Sequence, residues 1–270
     1  MTIASALLVA ALIALLGATL IAIAGALAGR LATRVVAHAA VLLAGAFLLA
    51  ALILRGLLVG HAPWSNLYET AVAFAFGVVV VYAALERRLP IRSLAPVVAV
   101  VGAGLIGLAL AQPDEVRPLV PALQAPLLLT VHVGTAMLAY AIGAVAFAAA
   151  AAELVQRRAG GALAALPPSA ISRTAAHRAV LLGFPVLTAA IVLGAVWANL
   201  AWRSYWSNDP KELAAAATWL VYGGYLHVAG RRDRWGRLAP WLLILGFGAV
   251  LFTYLGAGLV FVGEHSYAGA

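Results

Sequence analysis

Six histidines are the residues of this chain with the clearest capacity for chemistry. A neutral imidazole is a common iron ligand, and histidine changes its protonation near neutral pH. The chain contains no cysteine, so it forms no disulfide, binds no metal through thiolate and performs no thiol chemistry of its own. A Ser or Cys triad, a glycine-rich phosphate loop and a zinc-type ligand cluster all lack sequence support. Imidazole ligation is therefore the chemistry to consider first.

A tryptophan-rich segment at residues 197–212 is the second unusual feature. It holds three of the seven tryptophans, Trp197, Trp202 and Trp206, and ends in Asp-Pro-Lys-Glu. Trp202 and Trp206 are four residues apart, so on a helical backbone they would share a face. Such residues commonly form an interfacial aromatic belt, but a flat aromatic surface can also hold a planar, mostly apolar ligand by stacking. Asp209 and Pro210 predict the start of a helix, with aspartate as N-cap and proline at the first position.

Membrane-spanning helices are the elements that must position these side chains. The chain is 65% hydrophobic and only 10% charged, with a mean hydropathy of +1.05, which is more apolar surface than one soluble core can bury. A span needs about 20 apolar residues, and long uninterrupted apolar runs exclude strand-based spanning. We therefore predict an all-α polytopic integral membrane protein, a single transmembrane domain over residues 1–270 with about eight helices surrounded by lipid. These helices lie near residues 3–29, 35–60, 68–86, 93–112, 126–154, 178–199, 213–229 and 238–262.

Basic residues alternate along the chain, with 17 Lys and Arg against 9 Asp and Glu. Every second connection between the predicted helices is rich in arginine, and the connections between are nearly free of positive charge. This is the positive-inside pattern rather than a nucleic-acid-binding surface, and it predicts both termini on the outer side. The arginines of the four predicted cytoplasmic connections are Arg30 and Arg34; Arg87, Arg88 and Arg92; Arg157, Arg158, Arg173 and Arg178; and Arg231, Arg232, Arg234 and Arg237. We expect a bacterial inner membrane, with a thylakoid membrane as the alternative.

This topology sorts the histidines by depth. His61, His132 and His265 are predicted at the outer side, whereas His38 and His227 are near cytoplasmic helix ends and His177 is in a solvated basic connection. For each one alone, a packed or interfacial role is as good an interpretation as ligation. Two of them, His132 and His265, flank the tryptophan-rich segment on the outer side. Two imidazoles beside an aromatic surface are a plausible axial set for a haem iron.

The same residues resemble a known family. Residues 197–212 resemble the tryptophan-rich "WWD" segment of the haem-handling proteins of cytochrome c biogenesis, and their Asp-Pro-Lys-Glu ending is similar to that of the CcsA family of the system II pathway. Several other motifs are similar to those of this family and follow in order between residues 55 and 267. They are Gly-His-Ala-Pro-Trp-Ser-Asn-Leu-Tyr-Glu at 60–69, Pro-Leu-Val-Pro-Ala-Leu-Gln at 118–124, Leu-Gly-Phe-Pro at 182–185, Phe-Thr-Tyr-Leu-Gly at 252–256 and Glu-His-Ser-Tyr at 264–267.

The resemblance implies specific roles for these residues. His132 and His265 would be the axial ligands of haem b at the outer face, and the Trp-rich segment with Asp209 would surround it. His227 would ligate haem within the membrane on its way out. The pathway ends with thioether bonds between the haem vinyl groups and the thiols of a Cys-x-x-Cys-His apocytochrome c. The family works with a CcsB (ResB) membrane subunit, which we expect to be a separate chain here. We further expect catalysis, if this chain is part of a cytochrome c haem lyase, to act by positioning rather than by acid–base groups.

Two departures from the family pattern concern the site. Asn208 stands where the family usually has tryptophan, and Arg203 stands where it usually has glycine. We hypothesise that Arg203 pairs with a haem propionate, because arginine suits carboxylates geometrically. The second ligand of the inner haem belongs to the partner subunit by resemblance, with His38 as the candidate within this chain.

Further interpretations remain open at this stage. Arg55 and Glu69, at the outer ends of neighbouring helices, are predicted to pair with each other rather than to bind haem. The chain could instead be a haem-binding membrane regulator or anchor of haem synthesis, or an assembly subunit that binds no haem. A secondary transporter of another solute should contain paired broken helices or internal repeats, and no convincing repeat is present.

Overall fold

The computed structural model describes residues 3–30, 32–116, 118–119, 123, 126–231, 235–261 and 263–265. Some predictions from the sequence fall on the other residues. Arg232 and Arg234 of the last basic connection lie outside the described residues. So do parts of two family-like motifs, namely residues 120–122 and 124 of the first and 266–267 of the second.

The described residues form eight long helices, one at each predicted place. They are α1 (Ile3–Leu27), α2 (Thr33–Val59), α3 (Leu67–Glu86), α4 (Ala95–Leu110, preceded by a 3₁₀ turn Arg92–Leu94), α5 (Pro126–Arg158), α6 (Ser169–Trp202), α7 (Pro210–Ala229) and α8 (Ala239–Leu251). α8 continues through a π-helical turn, Phe252–Gly256, into the short helix α9 (Ala257–Val260). No strand occurs among the described residues. In lipid this is the expected result, because a helix satisfies its backbone hydrogen bonds within one segment.

Within the described chain, seven helices are long and apolar enough to cross a membrane, so the prediction of an all-α polytopic membrane protein is confirmed. The helix outside this group is α7, which has 20 residues and packs against α6 and α8. Thr218, Tyr222 and Tyr225 are buried on its inner face. The charged Lys211 and Glu212 in its first turn and His227 near its end lower the mean hydropathy of α7 most, and these buried polar residues lower it further.

The largest boundary error of the sequence prediction concerns α6, which begins at Ser169 rather than near residue 178. The extra turns carry Arg173, whose Nε donates to the buried Glu153 of α5 over 3.0 Å. Hydropathy marks only the part of a helix that lies in hydrocarbon, so it misses a helix that continues into the polar region. As a consequence, the placement of His177 in a solvated connection is wrong. His177 lies in α6, half-buried beside Tyr225.

The helices pack as two groups. Helices α1–α4 pack against one another, α5–α8 form the second group, and α3 joins the two by packing against α5. Small residues bring some pairs close together: Gly45 of α2 lies against Val79 of α3, and Gly183 of α6 lies against Ile142 of α5. Such contacts matter in membranes, where dispersion packing replaces the hydrophobic effect as the force between helices.

The short connections make successive helices antiparallel, so the bundle has two chemically different ends. The "basic end" contains the connections after α1, α3, α5 and α7, where the described arginines of the alternating pattern lie. The "aromatic end" contains the connections after α2 and α6, together with His265. It also contains a buried ion pair, since Arg55 Nε donates to Glu69 Oε1 over 2.8 Å as predicted. The segregation of charge to one end supports the predicted topology, and which end faces outward remains a prediction.

Replacement of Arg203 by glycine is expected to stabilise the protein by up to about 1 kcal/mol. Arg203 ends α6 with φ of +62°. This left-handed conformation costs a residue with a side chain about 1–2 kcal/mol. Glycine removes that cost, but it also increases the entropy of the unfolded chain, which offsets part of the gain in stability. Arg87→Gly is the matched control, because Arg87 ends α3 with φ of −61° and gains nothing from glycine. The midpoint of thermal unfolding in detergent tests this, and equal shifts in both variants would contradict it.

Candidate functional site

A cavity of about 220 Å³ lies at the aromatic end, between α3, α5, α6, α7 and the π-helical turn. Its wall is mainly apolar and aromatic, with a few polar groups that converge on it. The side chains that matter most for its chemistry are Trp64, His132, Tyr140, Trp197, Tyr205, Trp206, Lys211, Glu212, Tyr254 and His265. A concave, apolar site with few polar groups is the usual form of a ligand or cofactor pocket. The two histidines predicted to act together therefore line one cavity.

His132 occupies the second turn of α5 and is held in a defined orientation. Its Nδ1 donates to the backbone carbonyl of Ala190 in α6 over 3.0 Å. The carbonyl can only accept, so Nδ1 carries the proton and Nε2 keeps its lone pair. The imidazole stacks on Trp197 at a centroid distance of 6.0 Å and an interplanar angle of 12°. A side chain at Gly194 would collide with this ring, so glycine is needed for the close approach of α6.

His265 follows α9 and is oriented by a carboxylate at the start of α7. Its Nδ1 donates to Asp209 Oδ1 over 2.8 Å, although the two residues are 56 positions apart. Nε2 is therefore the nitrogen left to accept a proton or bind a metal. A histidine ligand commonly donates its other ring N–H to a carboxylate or carbonyl, which fixes its tautomer and raises its basicity. His265 and His132 both have this arrangement, one with a carboxylate and the other with a carbonyl.

Asp209 also begins α7, as predicted. Its Oδ1 accepts from the Lys211 amide over 2.9 Å, and Glu212 Oε2 accepts in return from the Asp209 amide over 3.2 Å, forming a capping box. Gly263 passes so close to the Asp209 carboxylate that a Cβ at this position would overlap it. One buried carboxylate thus caps the start of α7 and orients an imidazole at the same time.

The protonation states of His265 and Asp209 suit the binding of a metal by His265. Burial lowers the pKa of His265 below its usual range, and Lys211 lowers it further, although Asp209 opposes both effects. Burial alone would raise the pKa of Asp209, but His265 and the hydrogen bonds to its oxygens outweigh burial and lower it. The pair therefore consists of an ionised carboxylate and a neutral imidazole near neutral pH, and neutral imidazole is the metal-binding form.

The aromatic wall is built differently from the predicted helical face. Trp197 is only 1% exposed, and Trp202 lies edge-on to it at 4.8 Å and to His265 at 5.2 Å. Trp206 lies beyond the end of α6, 42% exposed, and its Nε1 donates to Asn208 Oδ1 over 3.0 Å. The expectation that Trp202 and Trp206 share a helical face is wrong, because the left-handed Arg203 ends α6 between them. Trp197 and Trp206 still line the same cavity.

The two departures from the family pattern occupy related backbone positions. Arg203 and Asn208 both have positive φ, +62° and +60°. Asparagine tolerates this conformation better than most residues, so Asn208 suits its turn. Arg203 is exposed and does not line the cavity. Among the described lining residues Lys211 is the cation, and it lies in the first turn of α7.

The π-helical turn is a part of the site that sequence reasoning missed. It places Thr253, Tyr254 and Leu255 in the cavity wall, and Tyr254 shares a 3.0 Å hydrogen bond with Thr70 of α3. An extra residue in a helical turn is common at functional sites. The only sequence signal was the family-like Phe-Thr-Tyr-Leu-Gly motif at these positions. Trp64 was similarly signalled by the motif at residues 60–69.

The remaining histidines lie away from the cavity. His227, near the basic end of α7, is exposed, and its Nε2 is 2.8 Å from Arg231 Nη1. His38 shares a 2.9 Å hydrogen bond with Tyr82 of α3 and does not contact His227. His61 bonds to the neighbouring Ala62 carbonyl over 2.8 Å and is not part of the cavity wall. Among the described residues, the structure brings together His132 and His265 but no second histidine with His227.

Comparisons with known proteins agree with this architecture. Residues 64–265 match the family described as cytochrome c assembly protein. A protein named cytochrome c biogenesis protein CcsA from Synechococcus sp. (strain CC9902) is 35% identical, with 86% of each chain covered. Another CcsA, from Microcystis aeruginosa, is also 35% identical over 86% of this chain and 87% of its own.

A solved structure shares the fold. The cytochrome c haem lyase CcmF superposes with a TM-score of 0.73 and 22% identity, covering 94% of this chain. The matched part is 47% of CcmF, so this chain corresponds to about half of that protein. At this identity the likeness concerns the fold alone, whereas the sequence matches are strong enough to establish relationship. The chain therefore belongs to the cytochrome c assembly protein family and, within it, to the CcsA proteins.

Proposed function

We propose that this chain holds haem b at the outer face of the membrane, between His132 and His265, for thioether attachment to apocytochrome c. Membership of the family assigns it a role in cytochrome c maturation, a process that involves haem, an apocytochrome and partner subunits. The site, the haem type and the passage of haem across the membrane are the parts proposed here. We assign the aromatic end to the outer side because the basic end carries the arginines.

The main observation in support of the proposal is that the two imidazoles have the same tautomer and the same kind of hydrogen bond. Each donates Nδ1–H to a fixed acceptor, Ala190 for one and Asp209 for the other, so each keeps Nε2 for iron. Both line the same cavity. Two neutral imidazoles are a common axial set for haem. A purely packed histidine would not require this arrangement twice at one site.

The cavity wall fits a planar, mostly apolar ligand with a polar edge. Trp197 and Trp206 supply aromatic surface, and Lys211 supplies a positive charge for a carboxylate. The indole N–H groups of Trp64 and Trp202 are buried without a hydrogen-bond partner among the described residues. Buried donors normally have partners, so the indole N–H of Trp64, which lines the cavity, is available to an acceptor atom of a ligand, whereas Trp202 lies beside the cavity. We assign the propionate contact to Lys211 and retain Arg203 as an untested alternative at the exposed end of α6.

The chemistry asks the protein to position rather than to transfer protons. Haem supplies vinyl groups, across which a thiol adds as sulfur to one carbon and hydrogen to the other, with no net oxidation or reduction. The thiols come from the Cys-x-x-Cys-His segment of the apocytochrome, since this chain has no cysteine. Two fixed imidazoles and an aromatic wall would hold one edge of the macrocycle toward those thiols. Well-oriented reactants gain several orders of magnitude in effective concentration, up to about 10⁵–10⁸ M.

The inner part of the pathway depends on a partner. His227 is exposed on α7, so a ligand from another subunit can reach it. We therefore propose that a CcsB-like (ResB-like) membrane subunit supplies the second inner ligand. His38 is a weaker candidate, because its ring is engaged by Tyr82 and lies 3.9 Å from Glu86.

The test is to purify the full chain together with its co-expressed partner subunit and to record its reduced and oxidised absorption spectra. Low-spin haem with two nitrogen ligands is expected, together with covalent haem on a co-expressed Cys-x-x-Cys-His reporter. A reporter whose cysteines are replaced by serine is the control. Haem without attachment would favour a haem-binding regulator, and a preparation without haem would favour a non-catalytic assembly subunit.

A further inference from the structure

A second cavity, of about 760 Å³, lies at the basic end, at the opposite end of the bundle from the histidine pair. It is bounded by the last turns of α5 and α7, the first turns of α6 and α8, and the connection before α8. Its polar lining residues are Glu153, Arg157, Arg173 and Arg237, and its apolar wall contains Tyr225, Trp235, Leu238 and Leu243. Nothing in the proposed haem attachment uses this cavity.

Its charge is unbalanced. Glu153, with 3% of its side chain exposed, accepts from Arg157 Nη2 over 2.8 Å and from Arg173 Nε over 3.0 Å. Two guanidinium groups therefore share one carboxylate. Arg237 adds a third positive charge that has no ion pair within the described residues. The described lining residues thus carry two more positive than negative charges, which favours an anion.

The arginines differ in how far they are already engaged. Arg157 also donates from Nη1 and Nη2 to the Gly236 carbonyl, both over 3.2 Å, so its role is largely structural. Arg173 uses Nε for Glu153, and a guanidinium has five N–H donors, so its terminal groups keep donor capacity. Arg237 is exposed, and its guanidinium donates to no group among the described residues. A phosphate oxyanion matches such forked donors in a bidentate manner.

The remaining wall explains why the anion should belong to an amphiphile. Trp235 and Leu238 are 43% and 40% exposed, and Trp241, 49% exposed, follows on the outside of α8. Tryptophan concentrates where hydrocarbon meets headgroups. A free ion would use the arginines but not this apolar wall, whereas a lipid would use both. Basic pockets between transmembrane helices on the cytoplasmic side are known binding sites for anionic headgroups.

We propose that this cavity binds the phosphate of an anionic phospholipid, with Arg173 and Arg237 as the phosphate ligands. The bound lipid lies between α5, α6 and α8, so it joins the connection before α8 to the rest of the second helix group. The proposal is independent of haem and of the histidine pair.

The experiment compares lipid retention by the full chain purified from mixed micelles of phosphatidylglycerol and phosphatidylcholine, measured by native mass spectrometry. The wild type is expected to retain phosphatidylglycerol preferentially. Each of Arg173→Gln and Arg237→Gln is expected to weaken this retention about fivefold, from a contribution of about 1 kcal/mol per basic residue. Arg237→Lys keeps the charge and should retain most of the preference. Arg237 makes no hydrogen bond within the part of the chain that the structure describes, so its variants are expected to keep the fold, which circular dichroism verifies.

Arg88→Gln is the matched control, because Arg88 is exposed at the same end but outside the cavity. Equal retention of the two lipids by the wild type would overturn the proposal, as would an equal loss in Arg88→Gln. Inorganic phosphate at millimolar concentration separates the two sources of the anion. If it displaces phosphatidylglycerol completely, the site takes a free anion and the lipid assignment is wrong. Loss of retained haem without loss of lipid in Arg237→Gln would also overturn it.

Discussion

His132→Ala and His265→Ala are each expected to lose the low-spin spectrum of haem with two nitrogen ligands. Each variant should also retain at least about tenfold less haem than the wild type. In metal sites, loss of a group that only hydrogen-bonds to a ligand lowers metal affinity about 10–100-fold. Loss of the ligand itself should cost at least as much, which sets the lower bound. Each imidazole is held by an acceptor at Nδ1 and presents Nε2 as its ligand atom, which the alanine substitution removes. The measurement is the reduced-minus-oxidised spectrum of the protein purified with its partner subunit.

His61→Ala is the matched control for these variants. His61 lies at the same end of the bundle, but its ring bonds to the adjacent Ala62 carbonyl and lies outside the cavity wall. Its haem content should equal that of the wild type. Added imidazole should restore a low-spin spectrum to His132→Gly and His265→Gly, which a merely structural role would not allow. Haem that is indifferent to both alanine substitutions would exclude these two residues as ligands.

Asp209→Ala is expected to lower both stability and haem retention. Loss of the N-cap of α7 costs about 0.5–2 kcal/mol in unfolding free energy. Loss of the acceptor for His265 Nδ1 frees the imidazole to rotate or change tautomer, with an expected loss of about 10–100-fold in haem affinity. Thermal unfolding of the haem-free protein measures the first effect, and haem titration measures the second.

Asp209→Asn separates the two roles of this residue. Asparagine caps helices as well as aspartate does, so the unfolding temperature should return to near that of the wild type. The neutral amide is a weaker partner for His265 than a carboxylate, so haem affinity should recover only in part and the reduction potential should rise. Full recovery of both haem affinity and potential would show that the charge of Asp209 does not act on His265.

Local sequence signals predicted much of the framework. Apolar length placed all eight helices because the hydrocarbon core requires about 20 residues per span. Asp209 and Pro210 marked the start of α7, since capping depends on residues within one turn. The pairing of Arg55 with Glu69 was predictable because both lie at facing ends of consecutive helices. Helix ends were predicted less well where they continue beyond hydrocarbon, as at the start of α6.

The site itself was predicted as a set of residues rather than as an arrangement. The family-like motifs pointed to His132, His265 and the tryptophans, and the structure places His132, His265, Trp197 and Trp206 around one cavity with Trp202 beside it. The left-handed turn at Arg203 separated Trp202 from Trp206, which no side-chain spacing could indicate. The contribution of the π-helical turn was also hidden, because an inserted residue shifts the face that follows it.

By itself, the sequence determined the membrane as solvent, the number and order of the helices, the segregation of arginine to one end and the residue types available for ligation. These properties follow from composition and from interactions within one turn. Only the tertiary structure decided that Asp209 orients His265 and that Ala190 orients His132. It also decided that Glu153, Arg173 and Arg237 surround a second cavity at the other end. The residues brought together in this way lie 20 to 84 positions apart in the chain, from Glu153 and Arg173, which form an ion pair, to Glu153 and Arg237, which line the same cavity. They depend on the packing of whole helices against one another, which no local pattern specifies.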